Sequence, residues 1–262
     1  QPPEQERLMA GETILGSVSQ LWRYPASSLA GERLDAISVG TTTVDGDRLF
    51  GLVDASDGEI ARPDRETKWH KVPLIRTRLG GAPMSKEWRL EVAVPGGGWL
   101  PAPDPESDRA ISAFLGFAAS IRPFGAENAA PFYTGPLTAA RYAKAPIHLL
   151  TTASLARLKA LHPEGTPDPR RFRPNIVVDM APVEGAFPET RWIGRKLAVG
   201  DLELTVSEPC RRCGFTIIAQ DGFDTDPGIL RNLVRHNAHN LGVYCTVDRP
   251  ARIEIGAPMR FV

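Results

Sequence analysis

The chain has 262 residues, 42% hydrophobic and 24% charged, with 31 basic against 31 acidic side chains. That composition excludes wholesale disorder, and the length suffices to bury roughly three-quarters of the unfolded surface in one large domain or two small ones. Zero formal net charge speaks against a nucleic-acid binder, which carries a basic excess, and no apolar run approaches the ~20 residues of a membrane span.

In chain order, segment 1–12 is polar and acidic. It lacks the basic and apolar parts of a secretory signal, so a cytoplasmic protein is expected. Residues 36–43 and 48–54 flank Val44-Asp45-Gly46-Asp47, and the Asp-Gly pair predicts a hairpin between them. Residues 88–94 alternate, with Leu90, Val92 and Val94 on one face, as a half-buried strand does. The stretch 95–107 is too rich in Pro and Gly for a regular element and reads as a linker. A helix is predicted over 108–121, with Ile111, Phe114, Leu115 and Ala118 on one face.

A second helix is predicted over 152–161, capped by Thr151 or Thr152. Residues 162–170 read as a surface loop. A hairpin is expected over 196–206 around Gly200-Asp201. Asp226-Pro227 opens a third helix to about His236, with Leu230, Leu233 and Val234 as its apolar side. Alternation returns in Ile253, Ile255, Met259 and Phe261. There is no internal repeat. Short strands punctuated by Gly and Pro predict barrels or sandwiches.

Three cysteines, Cys210, Cys213 and Cys245, are too few for a disulfide framework. In Pro209-Cys210-Arg211-Arg212-Cys213-Gly214, two thiols three residues apart can face one centre, and the flanking arginines favour the thiolate that binds soft metals or attacks electrophiles. A zinc site from Cys210, Cys213, Cys245 and His236 or His239 is the alternative; two buried residues at a strand end is the plainest one. Cys245 itself reads as a buried strand residue. Arginine outnumbers lysine 25 to 6, through either coding bias or use of the planar guanidinium to grip an anion. In Phe172-Arg173-Pro174-Asn175, an extended chain aims Arg173 and Asn175 to the same side, a clamp for a polar heterocycle or phosphate. Near the N-terminus, Tyr24-Pro25-Ala26-Ser27-Ser28 and Asp47-Arg48 place two hydroxyls and an arginine where a phosphate could sit.

The order of these segments resembles the MOSC family, relatives of the C-terminal domain of molybdenum cofactor sulfurase. The order runs Tyr-Pro-x-x-Ser, Asp-Arg, Ala61-Arg62, Phe-Arg-Pro-Asn, Gly-Asp, Cys-x-Arg-Cys and a closing Gly-x-Pro strand. The version with an N-terminal β-barrel domain, which includes the mitochondrial amidoxime reducing component, is the nearest in pattern. The resemblance implies a mainly β (α+β) fold: an N-terminal β-barrel-like domain at 13–95, a linker at 96–108 and a β-barrel MOSC domain at 109–262 with a few peripheral helices. It implies a molybdenum–molybdopterin cofactor with Cys213 as metal ligand and catalytic thiol, joined by Cys210. Ser27, Ser28, Arg48, Lys144, Arg173, Asn175 and Arg212 are the implied cofactor contacts. The family commonly has Lys where this chain has Ser27; Lys144 is the candidate substitute.

The expected function is an oxidoreductase reducing N-hydroxylated or N-oxide small molecules. A separate electron-donor protein is implied, since the chain has neither a GxGxxG fingerprint nor an iron–sulfur cysteine set. Sulfur transfer through a cysteine persulfide is one alternative. Another is a pocket reused without molybdenum, with no cofactor, in a lyase or binding role. No nucleic-acid or membrane partner is expected.

Overall fold

The structure, a computed structural model, describes residues 13–80, 89–129, 133–140 and 147–262. The first half contains β1 (Ile14–Arg23), β2 (Glu32–Leu34), β3 (Ala36–Val39), β4 (Phe50–Asp54), β5 (Arg76–Gly80), β6 (Arg89–Ala93), β7 (Leu100–Ala102), α1 (Pro105–Leu115) and β8 (Ala119–Pro123). β9 (Ile147–Thr151), α2 (Thr152–Leu161), β10 (Ile176–Asp179), β11 (Lys196–Val199) and β12 (Leu202–Arg211) follow. The chain ends with α3 (Pro227–Asn237), β13 (Asn240–Arg249), β14 (Ala251–Glu254) and β15 (Pro258–Phe261).

Seven strands, in the order β10-β9-β13-β12-β11-β15-β1, close into a barrel because β1 also pairs with β10. Closure removes the free edges of these seven strands. The local hairpin predicted at 196–206 forms as β11 and β12, with Lys196 opposite Thr205 and Val199 opposite Leu202. Alternation sends Leu202, Leu204 and Val206 inward, where they meet Val18, Leu21, Ile147 and Met259. A second core gathers Leu52, Trp69, Ile75, Leu90, Val92, Ile111 and Ile121 between the β4–β8 pair, the β5-β6-β7 sheet and α1. A third, under α2 and α3, holds Leu158, Phe172, Ile229, Leu233 and Leu241. The chain is mainly β with a few helices, as expected.

These cores do not divide at 96–108. β1 is a barrel strand and β3 pairs with β14, so two N-terminal strands serve the C-terminal core. The residues expected as a linker hold β7 and the first turn of α1, and α1 and β8 pack into the second core. The hairpin expected across 44–47 does not form. Positive φ at Gly46 and Arg48 turns the chain, so β3 joins β14 while β4 joins β8.

The helix predicted to run to 121 stops at Leu115, because Gly116 adopts the left-handed conformation that ends helices. Ile121 then enters strand β8. At its start, Asp104 accepts from the Glu106 amide at 2.8 Å. α2 begins as predicted, with Thr151 accepting from the Ser154 amide at 3.1 Å. α3 begins at Pro227 after Asp226, but Ile229 and Leu233 form its buried side while Val234 is 45% exposed. The strand expected over 88–94 appears as β6; Trp88 lies outside the described residues.

Candidate functional site

β1 ends at Arg23, and the next residues turn around the end of the barrel. The Tyr24 amide donates to Asp47 Oδ1 at 2.6 Å, and the Arg48 amide donates to the Tyr24 carbonyl at 2.7 Å. The Asp47 carboxylate is buried and takes the Arg48 guanidinium as its ion-pair partner. That guanidinium lies 5.5 Å from the Tyr24 ring centroid.

Arg173 comes from the opposite side, after the short helix Pro169–Arg171. Its guanidinium lies 4.1 Å from the centre of the same Tyr24 ring. It donates to the carbonyls of Leu29 and Ala26, so it clamps the turn containing Ser27 and Ser28. Burial, with the charge of Arg48 second, lowers its pKa to about 10.

Arg212 is the third guanidinium. It donates to the Phe172 carbonyl at 2.6 Å and to Cys210 Sγ at 2.7 Å, and its amide donates to the His239 carbonyl at 2.7 Å. Its Nε is buried without a hydrogen-bond partner, as is the Tyr24 hydroxyl. Among the described residues, only Arg48 of these three has a carboxylate partner. The cluster is therefore electropositive, with two buried polar atoms that have no hydrogen-bond partner.

Backbone strain concentrates here. The described non-glycine residues with positive φ are Ser28, Arg48, Arg173, Ala238 and His239. Each lies in this pocket or in the turn that receives the Arg212 amide. Such conformations cost about 1–3 kcal/mol each and cluster where side-chain placement matters more than stability.

The cysteines have three different environments. Cys213 is exposed and follows Arg212 in the chain. Its carbonyl accepts from the Thr216 hydroxyl at 3.0 Å, and Gly214 packs so tightly on Asp64 that a Cβ there would meet the Asp64 carbonyl oxygen at 2.9 Å. The loop after Arg62 thus packs on Gly214, the residue after Cys213. Cys210 is buried on β12. Burial alone would raise its pKa, but Arg212, then His148 and Tyr244, hold it well below the ordinary thiol value. Cys245 is buried on β13 and pushed up to about 12 by burial.

The expected residues are partly brought together. Arg48, Arg173, Arg212 and Cys210 are brought together with the turn that carries Ser27 and Ser28, while Cys213 follows Arg212 in the chain with its thiol exposed. Asn175 is fully buried and spends its amide on the backbone, accepting from the His148 amide and donating to the Trp22 carbonyl. It ties β1 to β9 rather than pairing with Arg173, whose left-handed φ breaks the extended geometry that would put them side by side. Lys144 lies outside the described residues. The zinc alternative is not supported: among the described residues no three His, Cys, Asp or Glu are grouped to hold a metal. Sequence reasoning missed Asp47, His148 and Tyr244; only Asp47, beside Arg48, carried a usable signal. No described helix is long and apolar enough to cross a membrane.

The family model of the MOSC domain matches residues 129–260, about half of the chain. Among solved structures, the YUAD protein from Bacillus subtilis is similar over 93% of this chain and 93% of its own, with 14% identity and a TM-score of 0.45. YiiM from Geobacillus stearothermophilus and YiiM from Escherichia coli each align with 44% of this chain and 53% of their own. Their identity is 17%, with TM-scores of 0.33 and 0.31. No curated protein matches.

Proposed function

Because the chain belongs to the MOSC family, we propose that its arginine pocket holds an anionic, phosphate-bearing molybdenum–pterin group and that the protein is an oxidoreductase. The residues suit such a group. Three guanidiniums with one carboxylate leave positive charge to be neutralised, and the Tyr24 hydroxyl and Arg212 Nε are buried donors without acceptors. This is the observation that carries the reading. Cys213, exposed and next to Arg212 in the chain, would supply a soft sulfur donor suited to molybdenum.

Arg48 and Arg173 would hold the phosphate, with Ser27 and Ser28 on the turn that Arg173 clamps. Ser27 replaces a lysine common in the family, which shifts the anchoring charge onto the arginines. When bound, the group supplies two-electron redox chemistry, and the substrates proposed are N-hydroxylated or N-oxide compounds. The chain's part is to orient the anion and present the exposed Cys213 sulfur to the metal. Electrons would come from a separate donor protein.

Protein purified from a host able to make the cofactor tests this. Near-stoichiometric molybdenum and pterin, with the metal lost in Cys213→Ser, is the expected result. Metal-free protein from such a host would count against it. One observation favours a second reading: Cys213 is the only exposed thiol among the described residues, and a persulfide carrier needs an accessible sulfur. Cyanide-labile sulfur on Cys213 of metal-free protein would establish that role instead.

A further inference from the structure

The Cys-x-x-Cys segment contains two thiols of opposite character, and the proposed function uses only the exposed one. We infer that Cys210 is the resident anion of the pocket. Its sulfur holds Arg212 while no ligand is present, and it takes up a proton from solvent when an oxyanion engages that guanidinium. This rests on the reading that the pocket binds an anion.

Charge balance is the first argument. Arg212 is half-buried with its Nε fully enclosed, and a partly desolvated guanidinium favours an anion beside it; among the described residues it has no carboxylate partner, and Cys210 Sγ lies 2.7 Å from its Nη1. The groups facing the sulfur are all cations or donors: Arg212, the His148 ring and the Tyr244 hydroxyl, with Arg48 acting on Tyr244 from beyond. Cys245 is an internal control. It is equally buried, no cation acts on it, and its thiol is pushed up to about 12 rather than down.

Competition is the second argument. Arg212 has one nitrogen on Cys210, one on the Phe172 carbonyl and one, Nε, buried and unused. An oxyanion reaching Nε would share the guanidinium with the thiolate. Two anions on one half-buried cation repel, so the weaker acid of the pair is favoured in its protonated form. By reciprocity, oxyanion binding then weakens as Cys210 ionises. Cys210 is thus a positioning residue, neither a metal ligand nor a resolving thiol.

The test uses the full chain carrying Cys213→Ser, or wild type with the exposed Cys213 alkylated, so that Cys210 dominates the thiolate ultraviolet absorption. The probe is sulfate, whose charge is fixed near neutral pH. At pH 7 most of one thiol should be ionised, against about 3% for an ordinary thiol. Sulfate should lower that absorption, and calorimetry in two buffers of different ionisation heat should show proton uptake. Sulfate affinity should fall by at least about fivefold as pH rises through the Cys210 titration, and this dependence should vanish in Cys210→Ser/Cys213→Ser. No thiolate at pH 7, or absorption unchanged by sulfate, would overturn the inference. Molybdenum-free protein that still exchanges thiolate for sulfate sinks the cofactor reading alone. Molybdenum-loaded protein whose Cys210 fails to titrate sinks this one alone.

Discussion

Tyr24→Phe separates the cost of the pocket from its use. The Tyr24 hydroxyl is buried and unpartnered among the described residues, and burial raises its pKa, so it stays protonated and able to donate. An unsatisfied buried hydroxyl costs about 1–3 kcal/mol, so removing one oxygen should stabilise the ligand-free protein by about 1 kcal/mol or more. The ring remains, and with it the cation–π contact to Arg173 at 4.1 Å. Ligand binding should move the other way. A hydrogen bond to a charged acceptor is worth about 1.5–3 kcal/mol, so affinity for inorganic phosphate should fall about tenfold to a hundredfold. Urea unfolding midpoints and calorimetric phosphate titration give the two numbers. A variant that loses stability, or binds phosphate as tightly as wild type, refutes the idea that the hydroxyl waits for a ligand.

Three further outcomes are expected. Arg48→Ala should destabilise even the ligand-free protein, by about 1–3 kcal/mol in urea unfolding, because Asp47 is left buried without its cation. Adding Asp47→Asn should recover part of that loss. At pH 8, mass spectrometry after brief alkylation should find Cys213 modified and Cys245 untouched, since Cys245 is buried and pushed up to about 12. Glu189 is fully buried against Thr151 and Ser154, and burial raises its pKa. Its carboxyl therefore stays protonated in the folded state at pH values where the unfolded chain has ionised. That contribution to stability is full below the unfolded value of about 4.3 and is lost as pH rises toward the folded one. Glu189→Gln should flatten that decline in urea midpoints measured across the acid-to-neutral range; an unchanged slope would reject it.

What the sequence disclosed was what local chemistry decides. Thr151 and Asp226 cap helices through bonds to amides two or three residues on, and the hairpin at 196–206 closes over two residues. What it concealed was decided far along the chain. β3 finds its partner in β14, and β1 seals the barrel against β10 and β15. No alternation pattern encodes those pairings, so a cut at 96–108 looked natural where the cores interleave. His148 and Tyr244 stayed hidden for a similar reason. Each is an ordinary residue of an apolar strand until pairing of β9, β12 and β13 brings both beside Cys210.

The backbone explains why the pocket's own residues were legible as types but not as geometry. Glycine is the residue expected at left-handed φ, yet Ser28, Arg48 and Arg173 occupy that region. At about 1–3 kcal/mol each, glycine at those positions would relieve strain, and the chain keeps side chains instead. Side-chain chemistry there therefore outweighs backbone comfort. For Arg173 the strain redirects the side chain from the strand face, where an extended chain would put it beside Asn175, onto Tyr24 and the 26–29 turn. The conformation that defeats the sequence argument about spacing is the same one that brings a second guanidinium to the Tyr24 ring, the arrangement on which the proposed anion site rests.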